Sequence, residues 1–137
     1  MVELILIPVL ALGVIFGLYE LFTIHADMNF RGSHWFGHGA HAIGLMILAL
    51  FITMNTEYFL QITGLASSGI PYITSALLIR IAVGLILTIK IHAVSAIGGG
   101  GKGLAEKWTH TLILSILVVL APYIWPFISP LLPAWLA

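Results

Sequence analysis

The chain has 137 residues, of which 61% are hydrophobic and 7% charged, with a mean hydropathy of +1.14 and a formal net charge of zero. This composition lies outside the range of soluble globular proteins and predicts an integral membrane protein. The balanced charge gives no reason to expect a nucleic-acid partner, and the lack of cysteine excludes disulfides and thiolate metal sites. Because one bilayer crossing takes about 20 helical residues, the length predicts one all-α domain, a bundle of about four transmembrane helices with short loops.

The first predicted span covers residues 4–24. The preceding residues carry neither a basic segment nor a small-residue cleavage site, so we expect a retained span and not a cleaved signal peptide. Gly13 and Gly17 have the GxxxG spacing, which predicts a face where another helix packs closely. Glu20 lies about one turn from the far end of the span, where an ionisable group is costly unless it is paired, protonated or hydrated.

A polar segment, residues 25–41, separates the first span from the second and reads HADMNFRGSHWFGHGAH. It holds four of the six histidines of the chain, namely His25, His34, His38 and His41. The last three are spaced i, i+4 and i+7, so they share one face if the segment is helical, and HxxxH on a helix can chelate a metal ion. His25 and Asp27 by themselves are more typical of a solvated turn or a helix cap.

The second and third spans are predicted at residues 38–60 and 71–97, with Pro71 as the first residue of the third helix. Arg80 lies about nine residues into that helix, where a guanidinium needs a partner. Glu57, at the end of the preceding span, is the nearest candidate, and we expect a structural ion pair between the two. Glu20 and Lys90 form a possible matching pair at the opposite membrane face.

The fourth span is predicted at residues 104–125, after the glycine-rich turn 98–103. Prolines then recur every three or four residues, at Pro122, Pro126, Pro130 and Pro133. Either the helix is kinked and continues through them, or the C-terminal part of residues 122–137 lies in the membrane interface. We favour the interfacial segment, because proline in a helix interior removes a hydrogen bond and crowds the preceding turn.

Loop charges predict the orientation in the membrane. With four spans, Arg31, Lys102 and Lys107 fall on one side, and the opposite loop and both termini carry no lysine or arginine. The positive-inside rule then places the histidine-rich side in the cytoplasm and both termini outside it. All six histidines fall in the half of the membrane nearer to that basic side.

Three histidines, His41, His92 and His110, are predicted at similar depths on three different helices, where they could converge on one cofactor. Glu106, four residues before His110, could orient that imidazole. The candidate metal ligands are therefore His34, His38, His41, His92, His110 and Glu106. Zinc, copper, iron or a haem would suit such ligands. Histidines that serve only the membrane interface, or that carry protons, are the alternative interpretations.

These patterns leave three classes of function open, and they assign neither a catalytic residue nor a reaction. The first is a subunit of a larger membrane complex with a histidine-rich metal or haem site at one membrane face, and we favour it. The second is an oligomeric transporter or channel for protons, metal ions or small solutes. The third is a purely structural membrane subunit. In each case the expected partners are the lipid bilayer and either other membrane subunits or further copies of the chain.

Overall fold

The structure, a computed structural model, describes residues 4–26, 35–98 and 107–134. Within these ranges the chain forms helices and turns and no strand, which confirms the all-helical prediction. The α-helices are α1 (Ile7–Ala26), α2 (Trp35–Met54), α3 (Thr56–Ile62), α4 (Ala76–Gly98) and α5 (Trp108–Ile128). Short 3₁₀ turns at Leu65–Ser67 and Ser129–Leu131 follow α3 and α5.

One apolar core joins α1, α2, α4 and α5. Its fully buried members include Leu12 of α1, Met46 and Leu50 of α2, Ile91 of α4 and Leu114 of α5. Many large apolar side chains elsewhere on these helices are exposed, as expected of helices whose outer faces meet lipid. The described part of the chain therefore buries one stripe of each long helix and leaves an apolar outer surface.

Helices α1 and α2 run antiparallel and approach closely at the GxxxG pair. A Cβ atom added at Gly13 would lie 3.0 Å from Ile47 Cγ1, and one added at Gly17 would lie 3.3 Å from Ile43 Cγ1. Both distances are tighter than ordinary van der Waals contact, so the missing side chains let the two helices meet. The predicted packing face is confirmed.

The predicted second span is interrupted at Asn55. Its backbone takes φ −115° and ψ 43°, which is not helical, and the axes of α2 and α3 differ in direction by 91°. Asparagine favours such a break because its side chain can bond to nearby backbone groups in place of the helical pattern. The continuous helix expected over residues 38–60 is therefore two helices.

Two predicted helix starts also differ from the observed ones. Helix α4 begins at Ala76 and not at Pro71, because Tyr72 has a φ of 67°, in the left-handed region that a right-handed helix excludes. The Ser75 hydroxyl instead precedes the helix and accepts a weak 3.5 Å hydrogen bond from the Leu78 N–H. Helix α5 begins at Trp108, since the backbone of Lys107 is extended.

Helix α5 continues through Pro122 and Pro126 to Ile128, so the interfacial segment that we favoured does not begin at these prolines. Each proline removes one helical hydrogen bond and crowds the carbonyl four residues before it, so a helix continues through it only where other contacts hold the segment. Val118 and Ala121 remain fully buried in the core, and their packing holds this part of α5 in place. Of the two alternatives, the continuing helix is the observed one up to Ile128.

Two helical segments are long and apolar enough to cross a membrane: Ala76–Ala93 and Trp108–Leu131. The bent pair Gly39–Met54 and Thr56–Ile62 makes a third candidate if it is counted as one span. The apolar part of α1, Ile7–Thr23, is shorter than the length required. The described residues thus contain two to three candidate spans.

Candidate functional site

Glu20 continues the buried stripe of α1 into the last part of that helix. The stripe reads Val9, Leu12, Phe16 and Glu20, with spacings of three and four residues, and all four are buried. Glu20 is the charged member of the stripe, and its side chain is completely shielded from solvent. A fully buried ionisable side chain in an apolar core must be neutralised or paired, which makes Glu20 a candidate functional residue.

His92 and His110 lie at one end of the antiparallel pair α4 and α5. The His92 ring stacks on Trp108, with ring centroids 3.7 Å apart and an angle of 23° between the ring planes. Both histidines are half-buried. The Nδ1 atom of His110 is shielded from solvent and makes no hydrogen bond to the described residues. This imidazole nitrogen is therefore a candidate metal ligand.

The same end of the molecule holds Glu20. Gly17 of α1 packs on Ile43 of α2, which places Glu20 level with the first turns of α2. Helix α4 is antiparallel to α2, so its last part, which contains His92, lies at that end too. We call Glu20, His92, Trp108 and His110 the histidine end of the molecule.

His41 does not complete a three-histidine site with His92 and His110. Its side chain is exposed on α2, because the neighbouring Ala42 and then Met46 are the residues that face the core. Among the described residues, histidine and acidic side chains form no group of three or more that could hold a metal ion. The convergence expected of His41, His92 and His110 is thus not present in that part of the chain.

For the remaining polar residues singled out in the sequence, the structure describes no side chain. Asp27, His34 and Glu106 lie in the two internal stretches outside the described ranges, and only the backbones of His25 and His38 are described. The metal or haem site predicted from the six candidate ligands is therefore untested as a whole.

A second polar cluster surrounds the break between α2 and α3, at the opposite end of the helices. The Asn55 Oδ1 atom accepts a 2.6 Å hydrogen bond from the Ile5 N–H, and Nδ2 donates to the Ile5 carbonyl at 3.1 Å. Nδ2 also donates to the carbonyl of Phe51 at 3.0 Å. Asn55, which is 3% exposed, thereby attaches the segment preceding α1 to the end of α2.

Arg80 stabilises the other side of this break. Its Nε atom donates to the Thr53 carbonyl at 3.1 Å, and Nη1 donates to the Tyr123 hydroxyl at 3.0 Å. The guanidinium carbon lies 5.4 Å from the centroid of the Tyr123 ring, within range of a cation–π contact. These bonds do not reach Glu57, so the predicted ion pair is not among the described contacts.

Arg80 and Glu57 nevertheless line the same cavity. Its volume is about 270 Å³, and it also borders Ile5, Asn55 and Thr56. Glu57 is exposed in the first turn of α3, whereas Arg80 is half-buried. We call this space the bend cavity. Lys90, the other predicted ion-pair member on α4, is exposed and does not line it.

Sequence reasoning missed Asn55, Tyr123 and the stacking of Trp108 on His92. An asparagine within an apolar run was the available signal for the break, because asparagine competes with helical hydrogen bonds. The pairings of Tyr123 and Trp108 join different helices, and no spacing along the chain indicates them. A comparison of the chain with protein-family models, curated proteins and solved structures finds no match.

Proposed function

We propose that the protein is a small polytopic membrane protein that works as a subunit of a larger membrane complex and binds a metal ion or haem at its histidine end. In this proposal α1, the bent pair α2–α3, α4 and α5 are its four spans. The observation that carries the proposal is the complete burial of Glu20 in the apolar core. A carboxyl group persists in such a place when a basic group, a proton or a metal cation neutralises it, and a bound metal ion is one of these three ways.

The histidines give the proposed site its chemistry. Neutral imidazole is the commonest protein ligand for transition metals, and the buried Nδ1 atom of His110 makes no hydrogen bond to the described residues. His92 lies at the same end of the helices. The rest of the ligand set would come from His34, His38 or Glu106, or from a neighbouring subunit, which is why a complex suits this proposal better than an isolated chain.

The first test is elemental analysis with an absorbance spectrum, on protein purified in mild detergent without a histidine tag. Stoichiometric zinc, copper or iron, or a Soret band, is the expected result. The variants Glu20→Gln and His110→Ala should lower cofactor occupancy, and Glu57→Gln, at the other end of the helices, is the matched control. A metal-free, colourless protein would contradict the proposal.

A transporter or channel is the second candidate, and the break at Asn55 favours it. Interrupted helices line the substrate sites of many transporters, and here the break borders a polar cavity with an arginine. One copy has little room for a pore, so the transporter would be an oligomer. Proteoliposomes should then show flux of protons, metal ions or small solutes that Arg80→Gln reduces and Lys90→Gln leaves unchanged. A purely structural subunit would show neither flux nor cofactor.

The proposed orientation places the histidine end in the cytoplasm and both termini outside it. The chain has no cysteine, so single cysteines can report on each side without a background signal. In intact cells or oriented vesicles, a membrane-impermeant maleimide should label Gly69→Cys and spare Lys102→Cys. The reverse labelling would invert the orientation and leave the site proposal intact.

A further inference from the structure

The bend cavity carries two opposite charges that are separated from each other. Arg80 directs its Nε and Nη1 donors at Thr53 and Tyr123, and Glu57 lies on the same cavity in the first turn of α3. Arginine has five N–H donors, and the two hydrogen bonds leave the others without a bond to the described residues. The cavity therefore presents unused guanidinium donors and a carboxylate to any molecule that enters it.

The other polar groups of the cavity wall already have hydrogen-bond partners that hold them in place. Asn55 uses both ends of its amide on Ile5 and Phe51. The Thr56 hydroxyl donates to the carbonyls of Ile52 and Thr53. Because these polar groups already form hydrogen bonds within the protein, we assign the binding of a ligand to Arg80 and Glu57. Because Asn55 and Arg80 are tied to backbone groups, the cavity wall and the guanidinium are held in place before a ligand arrives.

The position of the cavity limits the ligand further. It lies where α2 ends and near Ala76, the first residue of the candidate span Ala76–Ala93. Exposed aromatic residues surround this end, among them Tyr72 and Tyr123, as is typical of the membrane–water interface. These aromatic residues therefore favour a position of the cavity at the depth of the lipid headgroups.

We propose that the bend cavity binds a small zwitterion made of a phosphate and a primary ammonium group. Arg80 binds the phosphate through its free N–H donors, and Glu57 accepts hydrogen bonds from the ammonium. Arginine suits phosphate because its planar donors match two phosphate oxygens at once. The same chemistry occurs in an ethanolamine phospholipid headgroup and in free phosphoethanolamine, and the experiment distinguishes these two sources.

The test measures binding to the full-length protein in detergent by native mass spectrometry and by thermal shift. The probes are short-chain phosphatidylethanolamine, phosphatidylcholine, phosphatidylglycerol and soluble phosphoethanolamine. We expect phosphatidylethanolamine to bind more tightly than the choline lipid, which has no N–H donor, and than the glycerol lipid, which has no cation. Binding of phosphoethanolamine with similar affinity would identify a soluble ligand, and preference for the lipid would identify the headgroup in the membrane.

Two substitutions assign the roles. Glu57→Gln, at an exposed position, should leave the fold intact and remove the preference for ethanolamine over choline. Arg80→Gln should weaken binding of every phosphate probe by about tenfold or more, because a hydrogen bond to a charged group is lost. Arg80→Lys keeps the charge and should retain part of the binding if Arg80→Gln fails to fold. Lys90→Gln, a cation outside the cavity, is the control.

The proposal is overturned if the four probes bind alike, or if Glu57→Gln keeps the ethanolamine preference. It is also overturned if Arg80→Gln folds and binds phosphate probes as the original protein does. These outcomes do not depend on the metal or haem proposal, because Glu57 and Arg80 lie at the opposite end of the helices from Glu20, His92 and His110.

Discussion

Replacing Asn55 by alanine should destabilise the fold more than any other single polar substitution at the bend. The change removes three hydrogen bonds, two to Ile5 and one to Phe51, at a site that is 3% exposed. A net contribution of about 0.5–1.5 kcal/mol for each bond gives an expected loss of about 1.5–4.5 kcal/mol. That is a large part of the roughly 5–15 kcal/mol that stabilises a typical domain.

The assay is unfolding by SDS in mixed micelles, followed by far-UV circular dichroism. Asn55→Leu serves as a second variant, since it removes the same bonds without leaving a comparable cavity. Thr63→Val is the control, because the Thr63 hydroxyl is exposed and bonds within its own helix to the Phe59 carbonyl. The control should shift the unfolding free energy by no more than about 0.5 kcal/mol.

A distance measurement reports on the bend itself. Spin labels on Leu48→Cys and Ile62→Cys, both at exposed positions, should read a longer distance in Asn55→Ala if the break straightens. This prediction is wrong if the unfolding free energies of both Asn55 variants lie within about 0.5 kcal/mol of that of the original protein. The hydrogen bonds to Ile5 would then contribute nothing measurable to stability.

Two further predictions concern helix packing. A side chain at Gly84 would collide with Val119 Cγ2, so Gly84→Ala should lower the unfolding free energy by about 1–3 kcal/mol. A side chain at Gly44 would meet open space, so Gly44→Ala should raise the unfolding free energy by up to about 1 kcal/mol, because alanine favours the helix more than glycine does. Tyr123→Phe removes the hydroxyl that binds Arg80 and keeps the ring, so a loss of about 1 kcal/mol is expected in the same SDS assay. Equal stability of the two glycine variants, or an unchanged Tyr123→Phe, would contradict the packing described above.

Part of the candidate site could be predicted from local spacing. Glu20 stands out because it is a charged residue within an apolar run, and its spacing from Leu12 and Phe16 continues the buried face of α1. The depths of His92 and His110 follow from their distance to the helix ends. The exposure of the His41 side chain could not be predicted in this way, because it depends on which face of α2 meets the other helices.

The sequence by itself determined the helical class, the apolar outer surface and the close approach of helices at Gly13 and Gly17. These properties depend on composition and on spacings of three and four residues, both of which are local. The all-helical structure and the distances at the two glycines agree with them.

Only the tertiary structure decided where the polar groups of different helices meet. Asn55 bonds to Ile5, fifty residues earlier, and Arg80 bonds to Tyr123 and not to the nearby Glu57. A buried donor must find an acceptor, but which acceptor it finds depends on the rotation and register of helices that are distant along the chain. Those quantities are set by the packing of the whole core, so no local pattern contains them.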